Sequence, residues 1–156
     1  MSSEKLLSTQ EILKKIVVIR NKKIIGFTNG CFDLFHEGHL YLIKEAKKQC
    51  DFLIVGLNSD KSVKMLKGED RPIENQEKRA KNLSRMKEVD AIIIFNTETP
   101  ESIIEALNPE ILIKGGDYNK NDIVGSKFVI KNGGSVLVID LLTGFSTTKI
   151  INERMK

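Results

Sequence analysis

A chain of 156 residues, 40% hydrophobic and 29% charged, has the length and composition of one compact globular domain with a substantial core. No apolar run approaches the roughly 20 residues of a membrane span, and the start of the chain leads into a polar segment rather than a signal-peptide core, so a cytoplasmic protein without membrane attachment is expected. The net charge of +4 suits a triphosphate as readily as a nucleic acid, but the lysines are dispersed and the aromatic residues, 6% of the chain, show no stacking pattern, which argues against nucleic acid. Cys31 and Cys50, the two cysteines, lack CxxC spacing, which argues against zinc or a disulfide framework and fits a reducing compartment.

In chain order, Ser8-Thr9-Gln10-Glu11 has the pattern of a capping box, with Ser8 as N-cap, and opens a helix to about Lys15. A buried strand is expected from Lys23 to Thr28. An amphipathic helix follows from His39 to Gln49, with Leu42, Ile43 and Ala46 on one face. The apolar run Phe52 to Leu57 reads as a second strand, closed by Asn58-Ser59-Asp60. A short helical piece near Ser62 to Leu66 leads into the polar loop Lys67-Gly68-Glu69-Asp70-Arg71-Pro72. A helix from about Asn75 to Met86 precedes a strand from Ala91 to Phe95. Thr99-Pro100-Glu101 then reads as an N-cap with proline at the first helical position, in a helix ending near Leu107. Ile111 to Lys114 and Val136 to Ile139 are the remaining strands. Between them lie the Gly115-Gly116-Asp117 turn and a helix near Gly125 to Lys131, and a last helix starts at Ser146 to Thr148.

Five apolar strands alternating with helices predict an α/β protein: a single Rossmann-like, doubly wound domain around a five-stranded parallel sheet. The whole chain, 1–156, reads as one domain, with a helical extension over about residues 1–20 and a core over about 21–156. Ligands of such sheets bind beyond the carboxyl ends of the strands, where the polar motifs of this chain fall.

The main motif is Thr28-Asn29-Gly30-Cys31-Phe32-Asp33-Leu34-Phe35-His36-Glu37-Gly38-His39, at the exit of the first strand. It holds both histidines of the chain, three residues apart, at a strand-to-helix junction. Gly30 and Gly38 would let a phosphate approach the backbone, the first helical turn offers unpartnered N–H groups and partial positive charge, and the imidazoles add donors. Zinc is a poor fit, because the zincin pattern needs histidines at i and i+4, so no metal ligands are assigned. Neither G-x-x-x-x-G-K-[ST] nor G-x-G-x-x-G is present.

This segment resembles the G-x-F-D-x-x-H-x-G-H signature of the cytidylyltransferase-like nucleotidyltransferase superfamily. A second signature of that superfamily is matched far away by Gly144-Phe145-Ser146-Thr147-Thr148-Lys149-Ile150-Ile151. The branch it most resembles is the adenylyltransferase domain that makes ADP-heptose from heptose 1-phosphate for lipopolysaccharide. The segments that carry this likeness are Val55-Gly56-Leu57-Asn58-Ser59-Asp60, Leu66-Lys67-Gly68-Glu69-Asp70-Arg71-Pro72, Ile113-Lys114-Gly115-Gly116-Asp117-Tyr118 and Gly125-Ser126-Lys127. Glycerol-3-phosphate cytidylyltransferases usually carry an arginine and a threonine before the second signature. Here Leu142 and Thr143 stand there, which favours the heptose branch and removes one phosphate ligand.

The resemblance implies in-line attack of a sugar 1-phosphate on the α-phosphorus of ATP, with magnesium accompanying the triphosphate and held mostly by phosphate and water. It implies catalytic roles for His36, His39, Lys67 and Arg79, the last at the β- or γ-phosphate. Nucleotide contacts are implied for Asn29, Gly30, Cys31, Phe32, Gly38, Lys114, Gly115, Asp117, Ser146, Thr147 and Thr148, whereas Asp33 reads as an organiser of its loop. ATP and a sugar phosphate are the expected partners, together with a second copy of the chain as a homodimer. A separate sugar kinase is also expected, because no kinase precedes the domain here. A cytidylyltransferase acting on glycerol 3-phosphate or another phosphoalcohol, and a nucleotide-binding module without catalysis, are the competing readings.

Overall fold

The computed structural model describes residues 4–116 and 119–140. The expected final helix and second signature, including Ser146, Thr147 and Thr148, lie outside the described residues, as does Asp117. The strands are β1 (Ile25–Gly30), β2 (Phe52–Asn58), β3 (Ala91–Phe95), β4 (Ile111–Gly115) and β5 (Ser135–Ile139), joined in the order β3-β2-β1-β4-β5 with every pairing parallel. This is the expected doubly wound α/β sheet. The helices are α1 (Thr9–Ile19), α2 (Glu37–Lys47), α3 (Asp60–Lys67), α4 (Gln76–Ser84), α5 (Glu101–Leu107) and α6 (Ser126–Lys131), with a short 3-10 turn at Lys120–Asp122.

Successive residues of a strand face opposite sides of the sheet, and here both sides are covered. Leu53, Val55, Leu57, Ile92 and Ile113 pack with Leu42, Ile43 and Ala46 of α2 and Leu83 of α4. Ile54, Ala91, Ile93 and Leu112 pack on the other side with Ile12 and Ile16 of α1, Ile104 and Leu107 of α5, and Val129 of α6. That double coverage is why the strands read as continuous apolar runs.

Several boundaries differ from the sequence expectation. The Ser8 capping box is present, Ser8 Oγ accepting from the Glu11 N–H and the Glu11 carboxylate from the Ser8 N–H. Helix α1 nevertheless continues to Ile19, because Ile16, one turn beyond Ile12, is buried with it. Ahead of it, the chain bonds along the free edge of β3: the Leu7 N–H donates to the Ile92 carbonyl and the Ile92 N–H to the Lys5 carbonyl. Helix α2 starts two residues before His39, since His36 supplies its N-cap. In α5 it is Pro100, not Thr99, that occupies the N-cap position, with no side-chain cap bond of its own. Among the described residues, no helix is long and apolar enough to cross a membrane.

Candidate active site

The strand order reverses between β1 and β4, and a doubly wound sheet binds its ligands outside the strand ends at such a point. A cavity of about 470 Å³ opens there, lined by Asn29 and Gly30 at the end of β1 and Cys31 and Phe32 after it, by Asn58 at the end of β2, and by Lys114 and Gly115 at the end of β4. His39 of α2, and Leu66 and Lys67 at the end of α3, complete one wall. Glu98, Thr99 and Pro100 before α5, with Asp122 closing the 3-10 turn and Ile123 and Val124 beyond it, complete the other.

The turn from β1 to α2 is held in an unusual conformation. Phe32 and Leu34 both have positive φ, 49° and 52°, a region that side chains other than glycine seldom enter. Hydrogen bonds from the segment before α4 hold it there. The buried Asp33 carboxylate accepts the Ile73 N–H at 2.8 Å, the Glu74 N–H at 2.9 Å and Arg71 Nε at 3.3 Å. In return, Glu74 Oε1 accepts the Leu34 N–H at 3.0 Å. Asp33 is thus the loop organiser it was expected to be.

The spacing of the two histidines now has a structural reason. His36 is the N-cap of α2, and its Nδ1 accepts the Gly38 N–H at 3.1 Å. His39 Nδ1 reaches back to accept the His36 N–H at 3.2 Å. The pair forms a capping box built of imidazoles, with the rings stacked 3.7 Å apart. Because each Nδ1 accepts a main-chain hydrogen, the neutral rings carry their proton on Nε2. Burial, and then the neighbouring His36, hold the His39 pKa down at about 3. Burial also lowers that of His36. Both rings are therefore neutral at physiological pH, with Nε2–H available as a donor that adds no charge to the resting site.

The cations of the cavity come from the end of α3 and the end of β4. Lys67 and Lys114 both lie near Cys31, and burial, with the neighbouring Lys67 adding to it, lowers the Lys114 pKa. Burial raises that of the Cys31 thiol, which stays protonated, while the Cys31 carbonyl serves as an anchor. A polyanion placed between Lys67 and Lys114 relieves the repulsion between them.

Two expected contacts need correcting. Arg79 does not line the cavity; it lies beneath it, fully buried. Its guanidinium donates to the carbonyls of Glu74, Cys31 and Asn58 at 2.9, 2.8 and 2.7 Å, and to the Asp60 carboxylate at 2.8 Å. With four of its five N–H donors on protein groups, it ties the ends of β1 and β2 to α3 and α4. Gly38 is buried and absent from the cavity lining, its N–H committed to His36. His36 lines a separate cavity, with Leu34, Phe35, Glu74, Lys78, Asn82 and Arg85. The structure brings together Asn29, Gly30, Cys31, Phe32, His39, Lys67, Lys114 and Gly115. Sequence reasoning left out Asn58 and Glu98, although one ends a parallel strand and the other follows one, so that the strand-end rule alone would have flagged them.

With this geometry in view, residues 27–153 match the family model described as Cytidylyltransferase-like. The chain belongs to the cytidylyltransferase-like family. This cytidylyltransferase-like chain is 54% identical over 127 residues to the bifunctional protein HldE of Hyphomonas neptunium, covering 81% of this chain and 26% of that protein. It is 46% identical over 147 residues to the bifunctional protein HldE of Nitrobacter hamburgensis, covering 94% of this chain and 30% of the relative. It thus spans about a third or less of the length of these relatives. Among solved structures, the lipopolysaccharide core biosynthesis protein of Thermoplasma volcanium is similar at a TM-score of 0.62 and 27% identity, covering 77% of this chain and 97% of that one.

Proposed function

We propose that this chain is a nucleotidyltransferase that moves the adenylyl group of ATP onto a sugar 1-phosphate, heptose 1-phosphate, yielding ADP-heptose and pyrophosphate for lipopolysaccharide core synthesis. The observation that carries the transfer is the stacked pair of neutral imidazoles, His36 and His39, at the start of α2 and beside the switch-point cavity. The sugar specificity is supported by the similarity to HldE proteins and to a lipopolysaccharide core biosynthesis protein.

The nucleoside lies in the cavity against Asn29 to Phe32 and the end of β4, with Lys67 and Lys114 flanking the phosphates. An oxygen of the sugar phosphate attacks the α-phosphorus, the bond to the bridging oxygen breaks, and pyrophosphate leaves with the bonding electrons. Such a displacement needs positioning and charge stabilisation more than a nucleophilic side chain. The histidine pair supplies donors to the phosphoryl oxygens as negative charge shifts toward the leaving group. Asp117, Ser146, Thr147 and Thr148 are proposed as further nucleotide contacts on the resemblance alone. Magnesium enters as part of the substrate MgATP. The ion's ligands come mostly from phosphate and water. The enzyme works as a homodimer in the cytoplasm, and a kinase supplies its sugar phosphate.

The test is pyrophosphate release with ATP or CTP, each paired with heptose 1-phosphate or glycerol 3-phosphate. Turnover confined to ATP with heptose 1-phosphate is expected, and turnover confined to CTP with glycerol 3-phosphate defeats the proposal. His39→Ala should still bind ATP but lose turnover by a factor of about 10²–10³; undiminished turnover removes the histidine pair from the mechanism.

A further inference from the structure

Helix α1 presents two valines to solvent. Val17 and Val18 are 73% and 79% exposed, more than any other large apolar side chain among the described residues. Valine is a weaker helix former than lysine or alanine, so two solvent-facing valines gain nothing for the helix itself. Ile12 and Ile16 turn into the core, and Lys14, two residues from each, points away from it with Val17 and Val18 on either side. The neighbouring helix α5 carries the opposite charge. Its exposed side chains include Glu101, Glu105 and Ala106, and the helix holds no lysine or arginine.

The two helices lie side by side. Arg20, the C-cap of α1, donates to the carbonyls of Leu107 and Asn108 at the end of α5. The strands that follow the helices, β1 and β4, are parallel neighbours, so both helices run in the same direction. Lys14 stands six residues before Arg20 and Glu101 six before Leu107, which places them at the same height. By the same count Val17 and Val18 are level with Ile104 and Glu105. We infer that this face of α1 and α5 docks a second copy of the chain. Two identical chains close by presenting the same patch to each other about a two-fold axis. An axis along the seam between the helices keeps these heights and sets each α1 against the α5 of the other copy, Lys14 against Glu101 and the valines beside Ala106. An axis at right angles to the helices would set the lysines of α1 against their own kind, which is repulsive. The inference rests on the homodimer proposed above and names the surface that forms it.

The test is the oligomeric state of the full chain, read by sedimentation velocity over a range of protein concentrations. The unaltered protein should dimerise. Val17→Asp with Val18→Asp buries two unpaired carboxylates in the contact and should raise the dissociation constant about a hundredfold or more. Both valines are exposed in the single chain, so this variant should keep its melting temperature. Lys14→Glu and Glu101→Lys should each weaken the dimer about tenfold or more by setting like charges together. Combined in one chain, the two exchanges should restore it, a readout that does not depend on the valine variant. Unchanged association of the valine variant, or a combined exchange as weak as either single one, overturns this interface and leaves the homodimer standing. An unaltered protein that stays monomeric at every concentration overturns both and leaves the transfer reaction standing.

Discussion

Arg79 is the residue whose meaning depends most on its surroundings. A buried guanidinium that satisfies three carbonyls and a carboxylate leaves all four unsatisfied when it is removed. Arg79→Ala is therefore expected to destabilise the fold by about 3–5 kcal/mol, measured as a lower midpoint in urea. A variant of ordinary stability that had merely lost affinity for ATP would restore the role of phosphate ligand. The histidines are the opposite case. Their type and spacing were legible, because two imidazoles beside two glycines at a strand exit point to phosphate. Their interlocked capping was not, since it depends on both imidazoles, rather than the usual hydroxyls or carboxylates, turning back onto the main chain of the first turn.

At the scale of elements, the sheet depends on close packing at the glycines of its central strands. A Cβ on Gly56 of β2 would stand 2.6 Å from Phe27 Cζ and 3.3 Å from Asn29 Cβ on the neighbouring strand. Gly56→Ala should cost about 1–3 kcal/mol through overpacking and, by pressing on Asn29, should also weaken nucleotide binding. Calorimetric melting together with an ATP titration reads both effects, and a variant that melts like the unaltered protein refutes the packing argument. The strands were easy to find because their apolar runs are continuous. Helix starts were harder, because capping is decided by a few side-chain bonds: α5 begins after Pro100 without one, whereas α1 begins at Ser8 with two. The cross-clamp between Asp33 and the Ile73-Glu74 backbone, 40 residues apart, leaves no periodic trace in the chain.

For the whole molecule, the half-buried histidines set a pH window. His39 has a folded-state pKa of about 3 against an ordinary value of 6.5, so below pH 6.5 the unfolded chain takes up a proton that the folded chain refuses. The contribution of this group is fully present above pH 6.5 and is lost as pH falls toward 3, with a slope of up to about 1.4 kcal/mol per pH unit. His36 adds in the same direction. Urea unfolding at pH 7, 5.5 and 4.5 should show this decline, and His39→Asn should flatten it; equal slopes in both proteins refute the assignment.

The order of strands and helices, the parallel sheet and the phosphate-handling motif were determined by the sequence by itself, because apolar periodicity and the Gly30–His39 pattern are local properties of the chain. Tertiary structure alone decided that Arg79 is a buried strut, that Gly38 serves the histidine cap, that Asn58 and Glu98 line the cavity, and that a second cavity opens beside His36. Each of these depends on which distant backbone groups meet. That meeting is set by the reversal of strand order between β1 and β4 and by the clamp on the loop after β1, and no local pattern encodes either.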